Sequence, residues 1–406
     1  MPVDLLELQE TPFEDLVRRA AALHVPQPER LRRPDLVFEV AKREGSRHGE
    51  QYGRGVLEVH GEGFGFLRSP DDNYLPGSDD IYVSQSQIRR FDLQTGDTVV
   101  GIVRPPKEGE RYLALLRVSL VNGEPPSVQP PAFDTLTAIY PTERVPLTDA
   151  ALRPIDLVAP LGLGQRGILV APSRTGRVEI LRRLADALGA DEALEVTVLL
   201  VDERPEEIQE WRTESRAEII ATPFDETSAR HLQVVDIVFE RARRMVERGD
   251  DVVILVDSLT RLLRACLAEV PATGREIGGI DAAALHRVRR YMGSARALEE
   301  GGSLTVIGVV SGDLGTRQDQ ALLEDLRDVV NWEVTLSRDL ADRGIRPPVD
   351  VHRSGTRRGE RLLTLEERDD RVRWRASLTG DPIEDGAALV ALCAGPKPLD
   401  SAASNS

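Results

Sequence analysis

Apolar residues recur at helical spacing through the first part of the chain, after which the pattern changes to that of short β-strands. Leucines, valines and alanines between Leu5 and Val40 lie three or four positions apart, with an interruption at Pro26. The following stretch contains five short apolar runs separated by Gly, Pro and Asp. The sequence therefore predicts a small helical subdomain in residues 1–50 and an OB or cold-shock type β-barrel in residues 51–124.

A different alternation governs the second half of the chain. After a proline-containing linker in residues 125–150, strand-like apolar runs alternate with helical ones. The strand-like runs are GILVA, VTVLLV, VVILV and LTVIGVV. This order is typical of a parallel α/β sheet and predicts a RecA-like P-loop ATPase domain in residues 151–378. Residues 379–406 should form a divergent C-terminal tail that is frayed beyond Ala387.

Composition excludes several classes of protein. The formal net charge is -16, so any nucleic-acid site must be local and not a general basic coat. No apolar run approaches the roughly 20 residues that cross a bilayer, and the start lacks signal-peptide zones, which predicts a cytoplasmic protein with no membrane partner. The two cysteines, Cys266 and Cys393, support neither a disulfide framework nor a structural zinc site.

The predicted barrel carries aromatic residues in a pattern that suits single-stranded nucleic acid. Phe64 and Phe66 lie two apart in GEGFGFLR, so they share one face of a strand, and Arg68 extends that row. Flat rings on an open strand can stack on bases. The alternative is that both rings fill the barrel core, because small barrels also bury alternating aromatic side chains.

Further candidates lie downstream of this strand. Tyr74 falls in a turn, and Glu110 lies near Tyr112, where a carboxylate beside a ring could accept the amino group of a base. Tyr82, within DIYVS, is expected to lie in the core.

The segment GILVAPSRTGRVEIL has the order strand, glycine-containing loop and helix, which is the order of a phosphate-binding loop. The usual pattern ends in Gly-Lys-Ser/Thr, but here Gly176 is followed by Arg177 and Val178. The guanidinium keeps the charge of lysine but not its compact shape. Val178 has no oxygen for Mg²⁺. Only three of the 52 basic residues are lysine, so compositional bias could explain Arg177 but cannot explain Val178.

Two acidic residues follow other predicted strands. Asp257 follows VVILV, in the place of a Walker B carboxylate, and Glu203 and Arg204 follow VTVLLV. In a parallel sheet the carboxyl ends of the strands face one crevice, so these side chains are expected near the loop.

Over most of its length, the sequence resembles that of the Rho family of bacterial transcription terminators. Segments such as LLVDERPEE, LVDSLTRLLRA and RSGTR follow the order and approximate spacing of that family. The resemblance implies a hexameric ring that binds single-stranded RNA, ATP and Mg²⁺. It places Glu203 as the residue that orients the attacking water and Arg357 as an arginine finger from the neighbouring subunit.

The same resemblance assigns the remaining site residues. Nucleotide is expected at subunit boundaries against Gly164, Gln165, Arg166, Gly167, Arg174, Thr175, Gly176, Arg177, Val178, Glu179, Arg204 and Asp257, with Asp257 near the metal. RNA is expected outside on Phe64, Phe66, Arg68, Tyr74, Glu110 and Tyr112, and in the pore on Gly278, Gly279, Ile280, Asp281 and Arg317.

Departures from the family pattern cluster in the loops that bind phosphate and grip RNA in the pore, including Arg174 and Arg177 for lysines and Val178 for threonine. The leading hypothesis is therefore an RNA-binding ring protein in transcription termination or its control, with impaired ATPase and helicase activity. It could act on an intact Rho or on RNA polymerase. The alternatives are a fully active RNA translocase and terminator, and a RecA-fold ATPase that acts on DNA.

Overall fold

The computed structural model describes residues 3–311 and 317–394. Contacts divide the chain into two compact units. The first comprises residues 1–131 and 236–244, and the second comprises residues 132–235 and 245–406.

The first unit begins with three helices, α1 (Leu5–Glu10), α2 (Phe13–Ala22) and α3 (Arg33–Arg47). The Asp4 side chain caps the first of them by accepting the backbone N–H groups of the first turn. The apolar positions of these helices form one core with Tyr52 of the following strand. The amphipathic spacing in the sequence therefore predicted the helices that the structure contains.

A closed barrel follows, with strand order β1-β2-β3-β5-β4. Its core consists of leucine, isoleucine and valine side chains, among them Leu57, Leu67 and Val99. A capping box at Ser84 starts the helix between the third and fourth strands. The bounds are β1 (Gln51–Val59), β2 (Gly65–Arg68), β3 (Ile81–Val83), α4 (Gln85–Arg90), β4 (Thr98–Arg104) and β5 (Leu113–Val121).

The second unit is built on a mainly parallel sheet with helices. Its early elements are β6 (Ala138–Ile139), β7 (Arg144–Val145), α5 (Arg153–Val158), β8 (Leu161–Gly162), β9 (Arg166–Ala171), α6 (Arg177–Leu188), β10 (Leu194–Glu203), α7 (Pro205–Glu214), β11 (Glu218–Pro223), α8 (Ser228–Val246), β12 (Asp251–Asp257) and α9 (Leu259–Glu269). The middle of α8, residues 236–244, belongs to the first unit.

The later elements of this unit are β13 (Glu276–Ile277), β14 (Ile280–Asp281), α10 (Ala282–Gly293), β15 (Arg296–Leu298), β16 (Ser303–Ser311), α11 (Arg317–Arg327), β17 (Trp332–Thr335), α12 (Arg338–Asp342), β18 (Gly355–Thr356), α13 (Leu365–Ala376) and α14 (Pro382–Ala394). The sheet runs β11-β10-β12-β16-β9-β17-β18, with β15 and β6 attached beside β16.

The central strands are buried along almost their whole length, as expected for a parallel sheet with both faces covered. Strand β10 pairs with β12, β12 with β16, and β16 with β9, each time in parallel. The carboxyl ends of these four strands therefore lie at one edge of the sheet. The structure thus confirms the predicted fold class, a helical subdomain, a small barrel and a RecA-like α/β core.

The end of the described chain differs from the expected frayed tail. Residues beyond Ala387 continue through the helix Pro382–Ala394, and Leu389 is completely buried in the core of the second unit. Its buried Asp385 accepts hydrogen bonds from Thr379 and Gly380. No helix in residues 3–311 and 317–394 is long and apolar enough to span a membrane.

Candidate functional site: an aromatic RNA platform and a divergent phosphate loop

One face of the barrel carries a contiguous group of aromatic rings, which we call the aromatic platform: His60, Phe64, Phe66, Tyr82 and Tyr112. The Phe66 ring lies at the centre of the group, with centroid distances of 5.9 Å to Phe64, 6.0 Å to Tyr82 and 5.0 Å to Tyr112. His60 stacks on Phe64 at 5.3 Å. The platform stands apart from the aliphatic core of the barrel, so the core alternative for Phe64 and Phe66 does not hold.

Tyr82 was expected in the core, and that expectation was wrong. Its side chain is 37% exposed, and its ring lies 5.8 Å from that of Phe64. The physical reason is the alternation of β3, in which Ile81 and Val83 face inward and the residue between them must face outward. Pairing of Phe66 with Tyr82 across the two strands then brings the rings together.

Two candidates for direct RNA contact are buried within this unit. Tyr74 is fully buried, and its hydroxyl accepts a hydrogen bond from Arg241 at 2.8 Å. Arg68 is 4% exposed and forms ion pairs with Glu58 and Asp80. The structure corrects the expectation that these side chains face RNA, because both are engaged by protein groups. Arg68 nevertheless extends the row of Phe66, as its sequence position predicted.

Glu110 is exposed beside the platform. Arg104 donates to its carboxylate from Nη1 at 2.5 Å and from Nη2 at 2.9 Å, and the backbone N–H of Lys107 donates at 2.9 Å. The bonds from Arg104, followed by that from Lys107, lower the pKa of Glu110 to about 2. The carboxylate is therefore charged at neutral pH and held in place by Arg104 and Lys107, two positions before Tyr112 in the chain.

In the second unit, the phosphate loop follows the carboxyl end of β9. Gly176 has a φ of 81° and caps α6, and Arg174 also has a left-handed φ of 66°. This backbone turns the chain sharply into the amino end of the helix, where N–H groups can bind phosphate. Thr175 is fully buried, and its hydroxyl donates to the carbonyl of Pro172 at 2.7 Å. Glu179 lies exposed in the first turn of the helix and pairs with Arg183.

Arg177 and Asp257 approach each other at the mouth of this loop. Nη2 of Arg177 lies 3.5 Å from Oδ2 of Asp257, which is 1% exposed at the end of β12. Burial raises the pKa of Asp257, and the Arg177 guanidinium acts in the opposite direction. Val178, where a hydroxyl is expected, packs against the apolar core.

This donor set does not fit Mg²⁺. The ion requires near-octahedral oxygen ligands at about 2.0 to 2.1 Å. Val178 supplies none, and the carboxylate of Asp257 faces a guanidinium. The expected role of Asp257 at a metal is therefore not supported by the residues around it.

Glu203 lies at the end of β10, next to the strand that ends in Asp257. Its Oε2 accepts from Nη1 of Arg261 at 2.5 Å, and its Oε1 accepts from the backbone N–H of Arg204 at 3.0 Å. Arg204 itself is exposed and starts α7. Glu203, Asp257 and the loop thus share one edge of the sheet, as the sequence predicted. Arg261 was not identified from the sequence, although it lies within the quoted LVDSLTRLLRA.

Residues 164–167 occupy the opposite end of β9. The amide N–H of Gly164 donates to Thr305 at 2.7 Å, and the side chain of Gln165 accepts the N–H of Gly162. The Arg166 guanidinium donates to the carbonyls of Val329 and Ala295. Within one chain, the length of the strand separates Gly164, Gln165, Arg166 and Gly167 from the phosphate loop, so a nucleotide that contacts both would have to lie between two copies of the chain.

Arg357 also lies far from the loop of its own chain. It follows β18, which pairs with the start of β17, and that strand pairs with the start of β9. Its Nη2 donates to the carbonyl of Arg327 at 3.0 Å, and its side chain is exposed. Action at a phosphate would therefore require the loop of another copy.

The expected pore loop forms a β-hairpin of β13 and β14. Gly278 and Gly279, with φ of 58° and 82°, form its two-residue turn, as a type I′ turn requires. Asp281 caps α10 through the N–H of Ala283 at 2.8 Å, which lowers its pKa. Ile280 is buried.

The second expected pore loop ends at Arg317, which is exposed at the start of α11. The rest of that loop, residues 313–316, lies outside the described residues.

Comparisons with known proteins agree with this division of the chain. Residues 53–127 match the family described as the Rho termination factor, RNA-binding domain, and residues 151–356 match the nucleotide-binding domain of the ATP synthase alpha/beta family. An ATPase from the type III secretion system of pathogenic bacteria superimposes with a TM-score of 0.52, covering 60% of this chain and 70% of its own at 21% identity. That likeness shows the fold alone.

The site and fold therefore define a protein with an RNA-binding domain joined to a RecA-like nucleotide-binding domain. Transcription termination factor Rho of Haemophilus influenzae is 45% identical over 375 residues, covering 89% of both chains. Those of Salmonella typhimurium and Pseudomonas fluorescens are 43% and 42% identical, covering 90% and 95% of this chain and 90% and 94% of theirs. This chain belongs to the Rho family of transcription termination factors.

Proposed function

We propose that this chain is an RNA-binding ring protein in transcription termination or its regulation, and that its nucleotide hydrolysis is impaired. One contrast carries the proposal. The rings of the aromatic platform lie together on one face, half-buried or exposed, whereas the phosphate loop lacks both its lysine and its hydroxyl.

The RNA part of the proposal rests on the shape of the platform. Phe64, Phe66, Tyr82 and Tyr112 offer rings on one face, and each base that stacks on such a ring contributes about 1 to 3 kcal/mol. Glu110 is charged and lies beside Tyr112, which suits the exocyclic amino group of cytosine. The expected ligand is therefore a single-stranded, pyrimidine-rich RNA.

The ATPase part rests on charge and geometry at the loop. ATP is the expected ligand because the domain belongs to a nucleotide-binding family. Hydrolysis needs preorganised charge on the terminal phosphates, and loss of one such stabiliser typically costs about 10²- to 10³-fold in rate. Here two are changed, at Arg177 and Val178, and they act on the same phosphates.

Assembly and location follow from the relatives. We expect a ring of six subunits in which Arg357 acts on the phosphate loop of a neighbour, because it cannot reach its own. Mixed rings with an intact Rho, or competition with it for RNA near RNA polymerase, would give the protein a regulatory role in the cytoplasm.

A fully active terminator is the second candidate. It is favoured by the placement of Glu203 and Asp257 at the ends of adjacent strands, beside the loop. The two candidates differ in one measurement, the RNA-stimulated ATPase rate of the purified protein on a pyrimidine-rich RNA. Tight RNA binding with hydrolysis close to background supports the first. Hydrolysis at the rate of ring translocases, abolished by Glu203→Gln, would overturn it in favour of the second.

A further inference from the structure

The phosphate loop has lost the hydroxyl that would bind a metal, at Val178, but it keeps its positive charge as guanidinium groups. Arg177 replaces lysine at the start of α6 and faces Asp257. Arg174 replaces the other lysine and is exposed in the loop. Three arginines in all surround the loop, because Arg346 also reaches it.

The guanidinium of Arg346 lies next to the loop at Gly176. Its Nη1 lies only 3.1 Å from the position that a Cβ atom would occupy on Gly176. A side chain at Gly176 would be in tight contact with this guanidinium, which therefore lies directly beside the turn where α6 begins. Its role was not visible in the sequence, because Arg346 is 170 positions away.

Asp257 is the only carboxylate on strand β12 that faces this start of the helix. Its Oδ2 faces Arg177, and its Oδ1 has no hydrogen-bond partner among the described residues. A guanidinium has five N–H donors, so the contact with Asp257 leaves donors of Arg177 for a second acceptor. Planar guanidinium groups suit phosphate oxygens particularly well.

We propose that this loop binds the phosphates of a nucleoside di- or triphosphate without a divalent cation, with the N–H donors of Arg177, Arg174 and Arg346 contacting the phosphate oxygens directly. The inference rests on the proposed function, in that the loop is taken to hold nucleotide. The Arg177 guanidinium keeps the single positive charge of the lysine it replaces and offers more N–H donors to the phosphates. It supplies no metal-bound oxygen, which agrees with impaired hydrolysis.

The test compares the affinity of the full-length protein for ATP in excess Mg²⁺ and in EDTA, by isothermal titration calorimetry. The expected result is the same Kd in both. Arg177→Ala should weaken binding in EDTA by about 10- to 100-fold, because each charge-assisted hydrogen bond to phosphate contributes on that scale. Arg183→Ala is the matched control, since Arg183 is on the same helix but pairs with Asp149 and Glu179.

A second variant covers the case in which Arg177→Ala fails to fold. Asp257→Asn keeps the shape of the side chain and removes the negative charge that competes for Arg177, so ATP affinity in EDTA should rise. At a metal-dependent site the same change would weaken binding, because it removes a ligand.

The outcomes separate this inference from the proposed function. Binding in Mg²⁺ that is lost in EDTA would overturn the metal-free site while leaving a nucleotide-binding Rho relative intact. Absence of ATP binding in both buffers, with RNA binding retained, would overturn the inference and the nucleotide part of the proposed function, but not its RNA part. The inference would be supported by equal ATP affinity in Mg²⁺ and in EDTA, together with weaker ATP binding by Arg177→Ala and unchanged binding by Arg183→Ala.

Discussion

The guanidinium of Arg68 lies 5.1 Å from the centre of the Phe66 ring. Asp80 and Glu58 hold it there in a nearly buried ion-pair cluster. Its position in the sequence suggests that Arg68 contacts RNA, but the side chain is part of the barrel's own structure. It packs against one side of the platform at Phe66.

Replacing Arg68 should destabilise the barrel. Arg68→Met leaves two carboxylates without their partner in a largely buried setting, and breaking a buried pair in this way costs about 3 to 5 kcal/mol. Chemical denaturation followed by circular dichroism measures the change. Arg89→Met, at an exposed position on α4, should leave the free energy of unfolding nearly unchanged. Equal stability of the two variants would refute the structural role of Arg68.

Removing the central rings should weaken RNA binding without unfolding the barrel. Phe64→Ala with Phe66→Ala is expected to lose several kcal/mol on a single-stranded pyrimidine-rich RNA, at about 1 to 3 kcal/mol per stacked base. Fluorescence anisotropy gives the affinity. Leu116→Ala, at an exposed apolar position of β5, is the matched control. Unchanged affinity in a folded double variant would rule out stacking on these rings.

Substitution of Tyr82 should affect RNA affinity, whereas substitution of Tyr74 should affect folding stability. Tyr82→Ala removes an exposed ring of the platform, so RNA affinity should fall by about 1 to 3 kcal/mol with little change in stability. Tyr74→Ala removes a fully buried ring and should cost roughly 3 to 5 kcal/mol of folding stability, as for other large aromatic truncations. RNA affinity and the free energy of unfolding are measured for both variants. Loss of stability in Tyr82→Ala, or loss of RNA affinity without loss of stability in Tyr74→Ala, would contradict these roles.

Repair of the phosphate loop should raise hydrolysis. Arg177→Lys with Val178→Thr restores a compact ammonium and a hydroxyl, and a gain on the order of 10²-fold or more in RNA-stimulated turnover is expected if Glu203 and Asp257 remain in place. A coupled phosphate-release assay measures it. Adding Glu203→Gln should remove the gain. A repaired protein no faster than the original would show that the defect lies elsewhere.

Assembly should be visible in the mass of the particle. Light scattering is expected to give a multiple of the 44.8 kDa chain, in the presence of RNA and nucleotide or after mixing with an intact Rho. The reason is that the proposed role of Arg357 needs the phosphate loop of another copy, because Arg357 follows β18 at the far end of the sheet from its own loop. A monomer under every one of these conditions would count against the ring.

The sequence predicted what depends on local periodicity and missed what depends on tertiary contacts. The alternation around Phe64 and Phe66, and the strand ends that carry Glu203 and Asp257, follow directly from spacing of two and from parallel strands. Tyr82 was misplaced because a three-residue strand gives too little alternation to fix its face.

Contacts between residues that lie far apart in the sequence could not be predicted for the same reason. Burial of Tyr74 depends on Arg241, and the placement of Arg346 beside Gly176 joins residues that lie far apart along the chain. The resemblance assigned residues 164–167 to the nucleotide at a subunit boundary, and a strand of about 3.3 Å per residue separates them from the loop of their own chain.

The barrel and the α/β sheet are stabilised by separate apolar cores, which share no residue among the described parts of the chain. A substitution at Val178 or Arg177 therefore removes no side chain from the barrel core. The same holds for the aromatic platform, none of whose rings lies in the second unit. If the proposed function is correct, two substitutions in one loop are enough to separate RNA binding from ATP-driven movement.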